Sequence, residues 1–158
     1  MKKAGLVAML LMIQASHVMA ADDAQQDKGF WYAQTSVYTK HYSPDPDHNN
    51  NQDLIGIERN QASGWVFGGA TFRNSFRQRS NYAYVGKRYE SAEYPVYLKV
   101  TGGLLQGYSG QYKDKIPLNH FGIAPVIIPS VGAHYGPLAA ELVFLGANAA
   151  MVTTGIRF

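Results

Sequence analysis

The stretch Thr71-Phe72-Arg73-Asn74-Ser75-Phe76 sets an amide, a hydroxyl and a cation side by side at the end of a strand-like run. Acyl transfer uses such groups when an imidazole takes the proton of an attacking hydroxyl and hydroxyl or amide donors hold the oxyanion that forms. Asn74 and Ser75 are therefore the first candidates for chemistry, with His41 as the candidate base and His48 as its alternative. The competing reading is structural, because Asn and Ser at a strand end are ordinary turn residues. The sequence contains no Gly-x-Ser-x-Gly elbow, so a hydrolase of that kind is not supported.

The chain that must position these residues has 158 residues and no cysteine. Lys2 and Lys3, an apolar run over 4–13 and the small-residue pattern Val18-Met19-Ala20 predict a secretory signal peptide over 1–20, leaving one domain over 21–158. The apolar run is too short to span a bilayer as a helix. Without Lys2 and Lys3, the fourteen Lys and Arg become twelve, against eleven Asp and Glu, so a nucleic-acid partner is not indicated. An exported chain without disulfides must draw its stability from a core, from closure of a sheet or from lipid.

Alternation of apolar and polar residues predicts eight strands. They cover Phe30 to His41, Asp53 to Asn60, Trp65 to Phe76, Asn81 to Tyr89, Tyr94 to Leu105, about Asn119 to Ala133, Leu138 to Leu145 and a last strand ending at Phe158. In the fifth, Val96, Leu98 and Val100 oppose Tyr97, Lys99 and Thr101; in the seventh, Leu138, Leu142 and Phe144 oppose Ala139, Glu141 and Val143. An even number of alternating strands with aromatic residues near their ends fits an all-β, eight-stranded antiparallel transmembrane β-barrel in an outer membrane. A water-soluble, lipocalin-like barrel alternates in the same way and is the rival fold.

Short turns near Ala62, Ala92 and Gly136 mark the periplasmic end, so the segments 42–52, 77–80, 107–118 and 146–149 face outward. His41 and Asn74-Ser75 then meet at one rim. Lys40, Arg73, Arg77, Arg79, Lys113 and Lys115 map there too, and guanidinium or ammonium groups suit contact with phosphates. Asp45 to Asp53 resembles part of a calcium loop but has Asn50 where glycine is needed and Gly56 where a bidentate Glu is needed, so it reads as a polar loop and no metal is expected. Pro125 and Pro129 interrupt the sixth strand and Pro137 opens the seventh. Proline cannot donate to a ladder, which predicts a lateral gap in the wall.

These motifs resemble the lipid A palmitoyltransferases of the PagP type. Pro125-Val126-Ile127-Ile128-Pro129 with Tyr135-Gly136-Pro137 is similar to that family's Pro-Val-Leu-Leu-Pro and Tyr-Gly-Pro at the same spacing, and Phe72-Arg73-Asn74-Ser75-Phe76 to its Phe-Lys-Asp-Ser-Trp. The resemblance implies a monomeric barrel without cofactor that moves palmitate from a phospholipid to lipid A, with His41 as base, Ser75 as hydroxyl and Asn74 at the position of the family's Asp. Gly86 falls on the glycine that floors the acyl-chain cavity, and Arg73, Arg77, Arg79, Pro125, Pro129 and Pro137 are assigned to substrate binding and entry. Asn74 departs from the family's carboxylate. A non-catalytic barrel for surface interaction or small-solute passage is the alternative function.

Overall fold

A computed structural model describes residues 29–43, 45–108 and 122–158. The expected signal peptide, Lys113 and Lys115 lie outside the described residues. Eight antiparallel strands, β1 (Phe30–His41), β2 (Ile55–Asn60), β3 (Trp65–Arg73), β4 (Arg79–Glu90), β5 (Val96–Gln106), β6 (Ile123–Tyr135), β7 (Leu138–Leu145) and β8 (Ala149–Arg157), form a closed barrel in sequence order. Closure is completed beside the β1–β8 ladder, where Trp31 and Phe158 exchange both backbone hydrogen bonds, at 2.7 and 2.8 Å. The turns at 61–64, 91–95 and 136–137 lie with the ends of the described chain at the lower end. The longer connections lie at the upper end.

Several boundaries differ from the alternation pattern, and three of them bear on the site. The third strand stops at Arg73 instead of Phe76, because the Asn74 side chain folds residues 74–78 into a turn: its Oδ1 accepts the Phe76 and Gln78 N–H groups at 2.9 and 3.1 Å. Arg77 completes that turn in the left-handed region, at φ 63°. β4 begins at Arg79, inside the expected loop, and β2 begins at Ile55, after a non-strand segment that matters for the site.

Side-chain direction follows the pleat. Ile55, Ile57, Phe67, Val85, Leu104 and Ile127 point outward and are exposed, as are many other large apolar residues of the strands. The inside is polar at the lower end. Lys99 donates to both Glu58 oxygens at 3.1 Å and to Glu141 Oε1 at 2.7 Å, tying β5 to β2 and β7 across the bore. Tyr84 donates to Glu58 at 2.7 Å and Tyr97 to Glu141 at 2.8 Å. Space for the rings comes from glycine: Gly68 lies under Tyr84 and Gly132 under Tyr97, and a Cβ at either would strike the ring. Above this layer the lining turns apolar, with Leu54, Val143 and Met151 buried and Ala70, Phe72, Ile128 and Leu145 packed around them.

Two seams are incomplete in the upper half. β6 pairs with β5 over Ile123–Ala133, through both prolines, yet pairs with β7 only over Ser130–Tyr135. β1 pairs with β2 only over Phe30–Thr35. Among the described residues no ladder pair joins β6 to β7 above Ser130, or β1 to β2 above Thr35.

Removing Lys99 leaves two carboxylates facing each other in the bore, and breaking a buried ion pair from one side typically costs about 3–5 kcal/mol. Lys99→Met is therefore expected to lower the unfolding free energy by roughly that amount in chemical denaturation. The triple variant that adds Glu58→Gln and Glu141→Gln recovers most of the loss.

Candidate active site

Simple alternation along β1 would turn His41 outward. Tyr32, Gln34 and Ser36 point into the barrel, so the even residues line it as far as Ser36. A β-bulge against β8 between Ser36 and Tyr38 inserts one extra residue, leaving Val37 and Tyr38 both exposed. Above it the phase is reversed. Thr39 and His41 face in and Lys40 faces out, and His41 is 8% exposed. A bulge re-aiming a side chain at a barrel rim is a common device.

His41 meets Ser75 across the rim. His41 Nε2 lies 2.7 Å from Ser75 Oγ, and His41 Nδ1 lies 2.9 Å from Asn50 Oδ1. The amide oxygen can only accept, so Nδ1 carries the ring proton and Nε2 of the neutral imidazole accepts from Ser75 Oγ–H. The Tyr108 ring, just beyond β5, packs edge-on against Phe76 with centroids 6.2 Å apart, and burial pushes its phenol up to about 12. Tyr108 is thus protonated at neutral pH. One directed chain runs from Ser75 through His41 to Asn50.

The segment 49–54 holds this chain in place. It lies between β1 and β3 where the β1–β2 ladder has ended. The Asn50 carbonyl accepts Thr39 N–H at 3.1 Å, the Gln52 carbonyl accepts Arg73 N–H at 2.7 Å, and Gln52 Oε1 accepts Thr39 Oγ1–H at 3.0 Å. Asn49 N–H donates to the Ser75 carbonyl at 2.8 Å. Consecutive residues thus grip Ser75 by its backbone and His41 by its ring. His48 packs tilted against His41 with ring centroids 4.4 Å apart, and Phe76 packs edge-on to His48 at 5.7 Å. Of the two candidate histidines, His41 is the one hydrogen-bonded to Ser75.

Asn74 is not part of the chain. It is fully buried, and besides the two turn N–H groups its Nδ2 donates to Ser80 Oγ at 3.1 Å. Asn50, and not Asn74, hydrogen-bonds the His41 imidazole. The sequence reading did not single out Asn50. The amide run Asn49-Asn50-Asn51-Gln52 was the available signal, since amides both donate and accept and so can bridge strand edges.

Arg73, Arg77 and Arg79 are exposed around the Ser75 turn, Arg77 Nη1 donating to the Asp47 carbonyl at 3.2 Å and Arg79 Nη1 to Thr71 Oγ1 at 3.4 Å. Gly86 pairs with Thr101, and Thr101 with Ile128, in the row just above Lys99 and Ser130. Gly86 therefore sits where the apolar compartment meets the ionic layer. A Cβ there would press on the Val100 carbonyl oxygen and Thr101. Pro125 and Pro129 flank the incomplete β6–β7 seam, and Pro137 lies in the lower turn. Among the described residues no three His, Cys, Asp or Glu side chains are grouped to hold a metal ion. Compared with protein-family profiles and with curated proteins, the sequence finds no match in either.

Proposed function

We propose that this protein is an outer-membrane acyltransferase that moves a fatty acyl chain, palmitoyl foremost, from a phospholipid to lipid A. The observation that carries the reading is the Ser75–His41–Asn50 chain, set at a barrel rim above an apolar interior. Membrane residence is supported by the inverted distribution of side chains. Ile127 and Ile55 are 75% and 70% exposed on the outer wall while Lys99, Glu58 and Glu141 are buried inside, the opposite of what a water-soluble barrel requires. Trp31, Trp65, Tyr89, Tyr94 and Tyr135 ring the lower end, with Arg59 and Lys87 over the two indoles, as interfacial girdles do.

In the transfer, His41 Nε2 takes the Ser75 Oγ proton as Oγ bonds to the ester carbonyl carbon. The lysophospholipid oxygen then leaves with that proton. A lipid A hydroxyl attacks the acyl-serine, passing its proton to His41, and Ser75 recovers the proton as the new ester departs. Leu54, Val143, Met151 and their neighbours seat the chain. Met151 is flexible enough to yield to it. Gly86 marks the lower limit, Arg73, Arg77 and Arg79 hold headgroup phosphates, and the seam beside Pro125 and Pro129 admits lipid from the side. The Lys99 bridge across the bore weighs against solute passage.

Lipid A from cells carrying the gene gains one acyl chain by mass spectrometry relative to cells without it; identical profiles would sink the proposal. His41→Ala and Ser75→Ala each lower transfer by about 10²–10⁴-fold with the barrel intact by circular dichroism. Asn50→Ala lowers the rate by roughly 10²-fold through loss of ring orientation, while Asn74→Ala acts through stability, by about 1–3 kcal/mol. Gly86→Met shortens the preferred donor chain, read from product masses over a mixed donor pool.

A further inference from the structure

His48 takes no part in the steps above, yet it lies against the reacting pair. Its ring packs tilted against His41 with centroids 4.4 Å apart and meets Phe76, the residue after Ser75, edge-on at 5.7 Å. The next residue, Asn49, donates its N–H to the Ser75 carbonyl at 2.8 Å, so the backbone also keeps His48 beside the serine. His48 Nδ1 is nevertheless buried with no hydrogen-bond partner, although Asp45, Pro46 and Asp47 before it are exposed. Nε2 is not sealed off in the same way and can hold the ring proton in contact with water, which leaves a bare lone pair at Nδ1. Buried polar atoms normally have partners, and an open one at a reactive centre marks a place for a ligand.

We propose that His48 Nδ1 binds the acceptor, taking a hydrogen bond from an O–H or N–H of lipid A next to the hydroxyl that attacks. The inference rests on the acyltransferase reading and deepens it by giving the second substrate a contact of its own. A lone pair selects a hydrogen donor and repels the oxygens of an ionised phosphate or an ester, which only accept. The phospholipid presents such oxygens around its reacting bond, whereas lipid A presents hydroxyl and amide groups. Once Ser75 carries the acyl chain, His41 Nε2 has lost its hydroxyl partner and is open to the attacking hydroxyl, with the His48 ring directly beside it. Two contacts to one acceptor, at His41 and at His48, fix its approach to the acyl carbon better than one. His48 follows an exposed segment, so its ring can turn toward an arriving lipid. No proton moves through His48: that of the attacking hydroxyl passes to His41 and from there to Ser75 Oγ as the new ester departs.

The test follows the fate of the acyl-serine. Full-length protein in detergent micelles receives phosphatidylcholine, which has no O–H or N–H of its own, together with lipid A, and acyl transfer to lipid A is measured against release of free fatty acid into water. Both products arise from the same intermediate, so changes in its formation cancel in their ratio. His48→Phe keeps a ring against His41 and Phe76 and removes both nitrogens. It is expected to lower the ratio of transfer to release about 2–10-fold, the usual effect of losing one neutral hydrogen bond. His48→Asn, whose amide oxygen can occupy the place of Nδ1, is expected to recover part of that loss. An unchanged ratio in His48→Phe would overturn the role of His48, because a packing role slows both products together. So would a ratio that falls only when phosphatidylethanolamine replaces phosphatidylcholine, since the ligand would then be the donor's ammonium. Absence of both products from the wild-type protein would overturn the acyltransferase reading and this role with it.

Discussion

One additional residue between Ser36 and Tyr38 decides which way the upper part of β1 faces, and everything at the rim depends on it. With a regular pleat the lysine at 40 would enter the barrel and the imidazole at 41 would point outward. The bulge reverses the phase just where the β1–β2 ladder ends, so the inward residues above it find the segment 49–54 instead of a neighbouring strand. That segment bonds to β1 on one side and to the end of β3 on the other. Its amides replace a ladder with contacts that reach the catalytic candidates themselves.

Below the rim the bore is divided by Lys99. Its two carboxylate partners come from strands three positions before it and two after, so the bridge crosses the barrel instead of following the wall. The tyrosines that donate to these carboxylates lie on glycines of adjacent strands, which lets large rings fill a narrow interior. The result is a polar, hydrogen-bonded lower half beneath an apolar upper half. An aliphatic ligand entering from above meets a floor defined by charge as much as by shape.

Strand number, the inward and outward faces of β5 and β7, and the grouping of long connections at one end were legible in the sequence because a period of two is a strong signal when one face must be apolar. Ser75 and His41 were legible as candidates because barrel topology alone brings the tops of the first and third strands to one rim. The bulge was not, since one inserted residue leaves no mark in composition and Val37-Tyr38 reads as ordinary alternation. Asn50 was hidden for a related reason: its partner is in the preceding strand, and a run of amides reads as a solvated loop. Asn74 was misleading because a residue beside the serine invites pairing with it, whereas the turn used that side chain for its own backbone.

The prolines of β6 carry a thermodynamic consequence. Proline nitrogens four residues apart on a strand lie on the same edge, and since the ladder to β5 is unbroken, that edge faces β7. An open strand edge in hydrocarbon normally loses several kcal/mol for each backbone group left without a partner, which is why barrels close. Deleting donors at Pro125 and Pro129 removes part of that penalty in advance and leaves a foreign strand fewer groups there to pair with. The slit is therefore a state the wall can occupy at rest, with no fluctuation needed to create it.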